Sequence, residues 1–373
     1  MTTIVKASGS ADILAMIPSM VGFLPRNSVV LLAFRGKRSC GAIRFDLPGA
    51  HSTKIDSKLH KRIATTIVGT LCRLPAVDAV ITIIYTDEEF AGGTAIPRAE
   101  FAAVLGRRIE LSGFEHRGSI THASDGWASH FEPHVPPGGR PLSDIAESSA
   151  SAQIPADERE SPNPLDLPKR VPNAEPSAMA RTKKRLAMYR GLADSVRDDP
   201  SEAPAALAPI YDIPLFAEDA LTWDAAATDS FGALLAFMVQ GPPARDLVML
   251  QWASDLAVGD QLWEEGYHSD LVQRTSGVDI GGLMLGHHAR PDPDRIERGI
   301  ALLLHLVAQL ADAKRPPLLC MLAWLNWALG RGSRAGVYLE EALTIDPQYS
   351  MAQLLNTMLS NGMLPEWAFA EPS

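Results

Sequence analysis

The chain has 373 residues, too many for one ordinary hydrophobic core and suited to two domains with a connector. Hydrophobic residues make up 46% and charged residues 21%, the balance of a folded globular protein, which excludes global disorder. The formal charge of −10 is unevenly placed: residues 1–110 carry an excess of about five basic groups and the remainder is acidic. That mild positive end argues against general nucleic-acid affinity, which needs a basic stripe or a strongly basic domain.

Cys40, Cys72 and Cys320 lie far apart with no CxxC pair. This argues against a disulfide framework or a cysteine-based zinc site and fits a reducing cytoplasm, the expected location. The opening MTTIVKASGSAD lacks the ordered regions of a signal peptide. The next apolar stretch is interrupted by Pro18, Pro25, Arg26 and Asn27, well short of the ~18 unbroken residues of a spanning helix. Ala301 to Ala311 is too short as well, so no membrane partner is expected.

In chain order, Ile13 to Phe34 reads as an apolar helix, a proline-broken loop and a solid apolar strand. SVVLLAF and GAIRFDL flank the polar turn Arg35 to Arg38 and predict an antiparallel hairpin. A helix follows over about Lys54 to Leu74, with Ile55, Leu59, Ile63, Ile67 and Leu71 recurring every four residues. AVITIIYT after Asp78 has the β-branched run of a buried central strand. A second helix is predicted from Pro97 to Glu110, and a short strand near Gly118 to Thr121. The order β-β-α-β-α-β implies helices packed on a mixed sheet over residues 1–130.

Residues 131–180 turn to Pro, Ser and acidic groups without apolar periodicity, which predicts a disordered linker. From residue 181 to 365 helical signals follow one another, with Gly and Pro between them, and residues 366–373 read as a tail. In one helix Ile296, Ile300, Leu303, Val307 and Leu310 form a stripe, with Asp292 as cap and Pro293 in the first turn. Near the end, Gly330, Ala335, Leu339, Ala342 and Asp346-Pro347 match a tetratricopeptide-type hairpin. A protein-binding concave face is the functional reading of that hairpin, and packing into the domain's own core is the favoured one.

Four sets of residues are candidates for chemistry. Arg44 and Asp46, two apart on an alternating strand, share a face where they can grip a polar ligand or form an exposed ion pair. Arg245 and Asp246 open an otherwise apolar helix, as a ligand clamp or, by preference, a buried pair between helices. His130 and His134 have the four-residue spacing of helical metal ligands, though the neighbouring prolines oppose a helix. His287 and His288 precede the Asp292 cap and read as solvent-facing groups at a helix start rather than as metal ligands. No phosphate loop, dinucleotide fingerprint, HExxH or GxSxG motif is present, so no catalytic residue and no cofactor is assigned.

Taken together the chain resembles the actinobacterial domain-of-unknown-function family 4192. The resemblance rests on Pro18, Gly22-Phe23, Pro25 and Ser28; on Arg44 to Pro48; and on Trp127 and Ser129 ahead of PPGGRPL. Arg245-Asp246 and the terminal Gly330…Ala342-Leu343…Asp346-Pro347 complete it. Cysteines often follow the Trp-Ser pair in that family, whereas this chain has His130 and His134 there. Any metal or redox role of those cysteines is therefore lost or altered here. The family implies no activity. The expectation is a cytoplasmic non-enzymatic protein whose helical domain contacts a protein partner or its own α/β domain. The alternative is a hydrolase or small-ligand-binding enzyme with its site at Arg44 and Asp46. Nucleic-acid binding through Arg26, Arg35, Lys37 and Arg38 is the weakest reading.

Overall fold

The computed structural model describes residues 6–48, 57–154, 171, 174–198, 204–224, 229–268, 279–287 and 289–369. The chain divides into two compact units, the first Met1–Asp166 with Phe369–Ser373 and the second Leu167–Ala368. The α/β-plus-helical layout that the element order predicts is the one observed.

In the first unit α1 (Ser10–Val21) precedes the hairpin β1 (Ser28–Arg35) and β2 (Arg38–Asp46). Gly22 ends α1 at φ 90°, its N–H donating to the Pro18 carbonyl at 2.7 Å. Gly36, at φ 58°, supplies the left-handed residue of the tight β1–β2 turn. Then come α2 (Ser57–Leu71), β3 (Ala79–Tyr85), α3 (Ala99–Leu111), β4 (Glu115–His122) and the short β5 (Trp127–Ser129). The sheet order is β2-β1-β3-β4-β5. β1 is antiparallel to both neighbours, β3 and β4 are parallel, and β5 is antiparallel to β4.

Alternation along β1 sends Val29 and Leu31 to one face of the sheet and Val30 and Leu32 to the other. The first face is covered by Ile67, Val68 and Leu71 of α2 and by Phe101, Leu105 and Ile109 of α3. The second is covered by Leu14 and Ile17 of α1. Burial on both faces explains why β1 and β3 are continuous apolar runs.

The α2 stripe departs from its sequence reading. Steps of four residues advance about 40° beyond a full turn each time, so a strict four-residue repeat drifts around a helix. Ile67 and Leu71 are buried, but Leu59 has rotated into solvent and His60 occupies the buried position instead. Ile55 lies outside the described residues.

Residues 131–154, expected within the linker, are packed against the sheet domain. Trp127 and Arg140 exchange backbone hydrogen bonds of 2.9 and 2.7 Å, and the Trp127 indole N–H donates to the Pro141 carbonyl at 3.1 Å. A single turn α4 (Ser143–Ala146) follows, and Ala150 is fully buried. Ordering is offset here by aromatic burial and satisfied backbone groups rather than by a periodic apolar face. The part of the expected linker over 155–170 lies outside the described residues.

The second unit is helical. Its described helices begin with α5 (Pro176–Asp198), α6 (Ile213–Ala220), α7 (Asp229–Met238), α8 (Pro242–Ala253) and α9 (Leu256–His268). The short α10 (Ile280–Met284), α11 (Pro293–Gln309), α12 (Pro316–Ala328), α13 (Gly332–Ile345) and α14 (Ser350–Ser360) complete them. Asp292 caps α11 by accepting from the Asp294 N–H at 2.9 Å, and the whole Ile296–Leu310 stripe is buried. Every residue of α12 is buried, so this helix is the unit's central strut. Gly330 turns the chain at φ 76°, and Ala335, Leu339 and Ala342 of α13 are fully buried beside α12. The terminal hairpin is thus part of the unit's own core. Residues 366–369, expected in a tail, form a 3-10 turn that buries Trp367 and bonds its indole N–H to the Ala328 carbonyl at 3.2 Å. No described helix is long and apolar enough to cross a membrane.

Candidate functional site

The carboxyl ends of β2, β3 and β4 point to one rim of the sheet, where ligands of open α/β sheets are received. Arg44 and Asp46 lie at this rim and form an ion pair of 2.6 Å. The Arg44 side chain is 14% exposed and that of Asp46 is 85% exposed. Arg44 Nε also donates to Ser28 Oγ at 2.8 Å. The cation is therefore turned inward to brace the hairpin while the carboxylate is displayed.

Beside them Asn27, left-handed at φ 41°, donates from its amide to Asp87 at 2.6 Å and accepts from the Asp87 N–H at 3.1 Å. Arg26 adds an ion pair to Asp87 at 3.2 Å. Arg98, left-handed at φ 63°, pairs with Glu88 at 2.7 Å and reaches the Pro48 carbonyl at 3.3 Å. Ala91, at φ 51° in the loop from β3 to α3, is a third non-glycine residue at positive φ on this rim; asparagine takes that region readily, so the strain falls on Ala91 and Arg98. Sequence reading missed Asn27, Asp87 and Arg98, because their meeting depends on the strand order.

The histidines are distributed otherwise than their spacing suggests. No helix forms over residues 130–142, and His134 is exposed. His130 turns onto the α3 side of the sheet, its Nε2 lying 2.9 Å from Thr121 Oγ1. Thr121 has one proton and donates it to the Pro97 carbonyl at 3.2 Å, so His130 donates from Nε2. His116 Nε2 lies 3.1 Å from Thr82 Oγ1. Burial lowers the pKa of both histidines, His130 to about 4 with the neighbouring His116 contributing. Among the described residues no three His, Cys, Asp or Glu side chains stand where they could hold a metal ion.

Arg245 and Asp246 open α8 as a clamp. Arg245 is buried, pairs with Asp246 at 2.8 Å and donates to the Tyr349 hydroxyl at 2.7 Å. Its guanidinium thus ties α8 to the start of α14. Cys320, in the same neighbourhood, is a buried thiol whose pKa burial raises to about 12. That excludes it as a thiolate nucleophile near neutral pH.

α6, α7 and the turn before α6 carry large exposed apolar side chains. Leu215 on α6 is 58% exposed, Phe231 on α7 is 53% exposed and Tyr211 just before α6 is 47% exposed. Trp223 packs between Phe231 and the core, its ring 5.9 Å from Phe231 and 5.3 Å from buried Phe216. The Trp223 indole N–H donates to Asp219 at 2.9 Å, one helical turn beyond Leu215. Sequence reading assigned partner contact to the helical domain as a whole, favoured core packing for its terminal hairpin, and singled out none of these residues.

A family model described as Domain of unknown function (DUF4192) matches residues 11–269 and 282–366. No curated protein and no solved structure matches the chain.

Proposed function

The chain belongs to the DUF4192 family, and from that premise we propose that it acts by binding a protein partner through its helical unit rather than by catalysis. The observation that carries this reading is Phe231, 53% exposed and backed by Trp223 at 5.9 Å, with Leu215 and Tyr211 also exposed on α6 and just before it. Large apolar side chains scattered singly are normal on a surface, but a group backed by a stacked indole is an anchor for a partner's apolar side chains. The partner it fits is a protein presenting an apolar face. α12 is buried along its whole length, so the terminal hairpin serves the unit's own core, and the reading assigns the partner to α6 and α7.

The test is photo-crosslinking from residue 231, paired with affinity capture by Leu215→Asp and Phe231→Asp variants. Both positions face solvent, so the variants should keep the wild-type circular dichroism. The reading expects one stoichiometric protein crosslinked at residue 231 and lost from both variants. A partner retained by both variants, or no crosslinked protein, overturns it.

A further inference from the structure

α2 and α3 lie side by side on one face of the sheet and run in the same direction: His60 in the first turns of α2 meets Phe101 near the start of α3, and Thr65 farther along meets Arg108. Their dipoles therefore add, and both positive ends coincide at the carboxyl rim of the sheet. The N-cap of α3 is Arg98, which makes no side-chain cap hydrogen bond, and Ala99 and Glu100 after it are exposed. The Ala99 N–H donates to the Ile96 carbonyl at 3.2 Å, which leaves the N–H groups of Glu100 and Phe101 to whatever approaches.

Between these two starts sits a buried imidazole. The His60 side chain is 7% exposed, and among the described residues neither ring nitrogen has a hydrogen-bond partner. Nδ1 faces the first turn of α3, where the Glu100 carboxylate stops at 3.9 Å, beyond hydrogen-bond reach. The ring lies 5.3 Å from that of Phe101. A buried polar group without a partner is destabilising, so phenylalanine would serve the packing better if packing were all. The imidazole asks for a ligand.

We propose that the paired starts of α2 and α3 form a binding site for an oxyanion, of phosphate or carboxylate type, with His60 as its side-chain donor and the first-turn amides of α3 as its backbone donors. Glu100 opposes the anion. Its side chain is 71% exposed, so it turns into solvent when the site fills, and until then it offsets the positive helix ends. The site lies on the α2–α3 face and is separate from Arg44, whose cross-strand partner Val30 belongs to the opposite face. It does not depend on the protein-binding reading.

The test is a titration of the full chain with inorganic phosphate and, separately, with acetate, followed by NMR of the His60 imidazole and the Glu100 and Phe101 amides. The proposal expects a saturable shift at all three positions with at least one probe, and the tighter probe names the ligand class. His60→Phe, which keeps the ring packing, should weaken that binding at least about tenfold, the worth of one charge-assisted hydrogen bond. Glu100→Gln should tighten it. Absence of a saturable shift with either probe overturns the proposal, as does unchanged affinity in His60→Phe. If that variant fails to fold, unchanged affinity in Glu100→Gln does the same.

Discussion

The Asp12 carboxylate accepts a hydrogen bond from the backbone N–H of Ala150 at 2.9 Å, tying the first helix to a segment 138 residues further on. The same carboxylate accepts from the Ser8 N–H at 2.8 Å, the Ser8 hydroxyl at 2.6 Å and the Ser149 hydroxyl at 3.0 Å. Burial works to raise the pKa of this group, but its hydrogen bonds outweigh burial and hold it well below the usual carboxylate range. Asp12→Ala should therefore cost about 3 kcal/mol. Limited proteolysis should then cut within residues 143–154 ahead of any other part of the sheet domain. A variant as resistant as wild type would show that α1 does not hold this segment. Because the folded carboxyl titrates below its unfolded value of ~3.9, its contribution is whole above that value and is lost only as the pH falls through it.

The histidines set a second pH response at milder acidity. His116, His122 and His130 are all lowered by burial. In the unfolded chain an imidazole titrates near ~6.5, so falling pH protonates the unfolded state first. Stability present above that value should drain as the pH drops towards the His130 value of about 4. Urea midpoints should fall steadily over this window, and less steeply in His130→Gln. Identical slopes for variant and wild type would mean that His130 takes up its proton equally in the folded and unfolded states, against this account.

Gly299 and Gly191 both lie inside helices, yet alanine should act oppositely at the two. Intrinsic propensity favours alanine by about 1 kcal/mol at each. At Gly299 a Cβ would stand 2.6 Å from Cε3 of fully buried Trp252, whose indole N–H is fixed to the Ala217 carbonyl at 2.8 Å. Overpacking of about 1–3 kcal/mol wins there, and Gly299→Ala should lower the melting temperature. At Gly191 nothing lies within 4 Å, so Gly191→Ala should raise it. Thermal melts of the two variants decide the matter.

Removing Arg245 should be far costlier than removing its hydroxyl partner. Arg245→Ala strands a partly buried Asp246 and should cost about 3 kcal/mol, whereas Tyr349→Phe should cost about 1 kcal/mol. A double-mutant cycle in urea should return a coupling energy above about 0.5 kcal/mol. Simple additivity would place the clamp's stabilisation entirely in the Arg245–Asp246 pair.

Much of the scaffold was legible because burial on both faces of a sheet writes itself as continuous β-branched runs. The Val29–Leu32 and Ala79–Ile84 stretches could be read as central strands for that reason. The helix caps were legible too, since Asp292 and Pro293 act through local chemistry. What escaped was whatever depends on strand order or on side-chain direction. Residues 131–154 have a linker's composition, and only Trp127 hinted that they fold back on the sheet. His130 carried a metal ligand's spacing, but its partner Thr121 belongs to the neighbouring strand. His60 was concealed by a four-residue repeat that a helix of 3.6 residues per turn does not sustain.

The sheet's two borders are unlike. β5 is three residues long and is further covered by the bridge from Trp127 to Arg140, whereas β2 runs for nine residues with no strand beyond it among the described residues. An uncovered strand is a template for another strand. With a template on one side only, two copies that met along β2 would close about a twofold axis and leave nothing to add to. A border of that kind suits a closed pair rather than an open run of sheets.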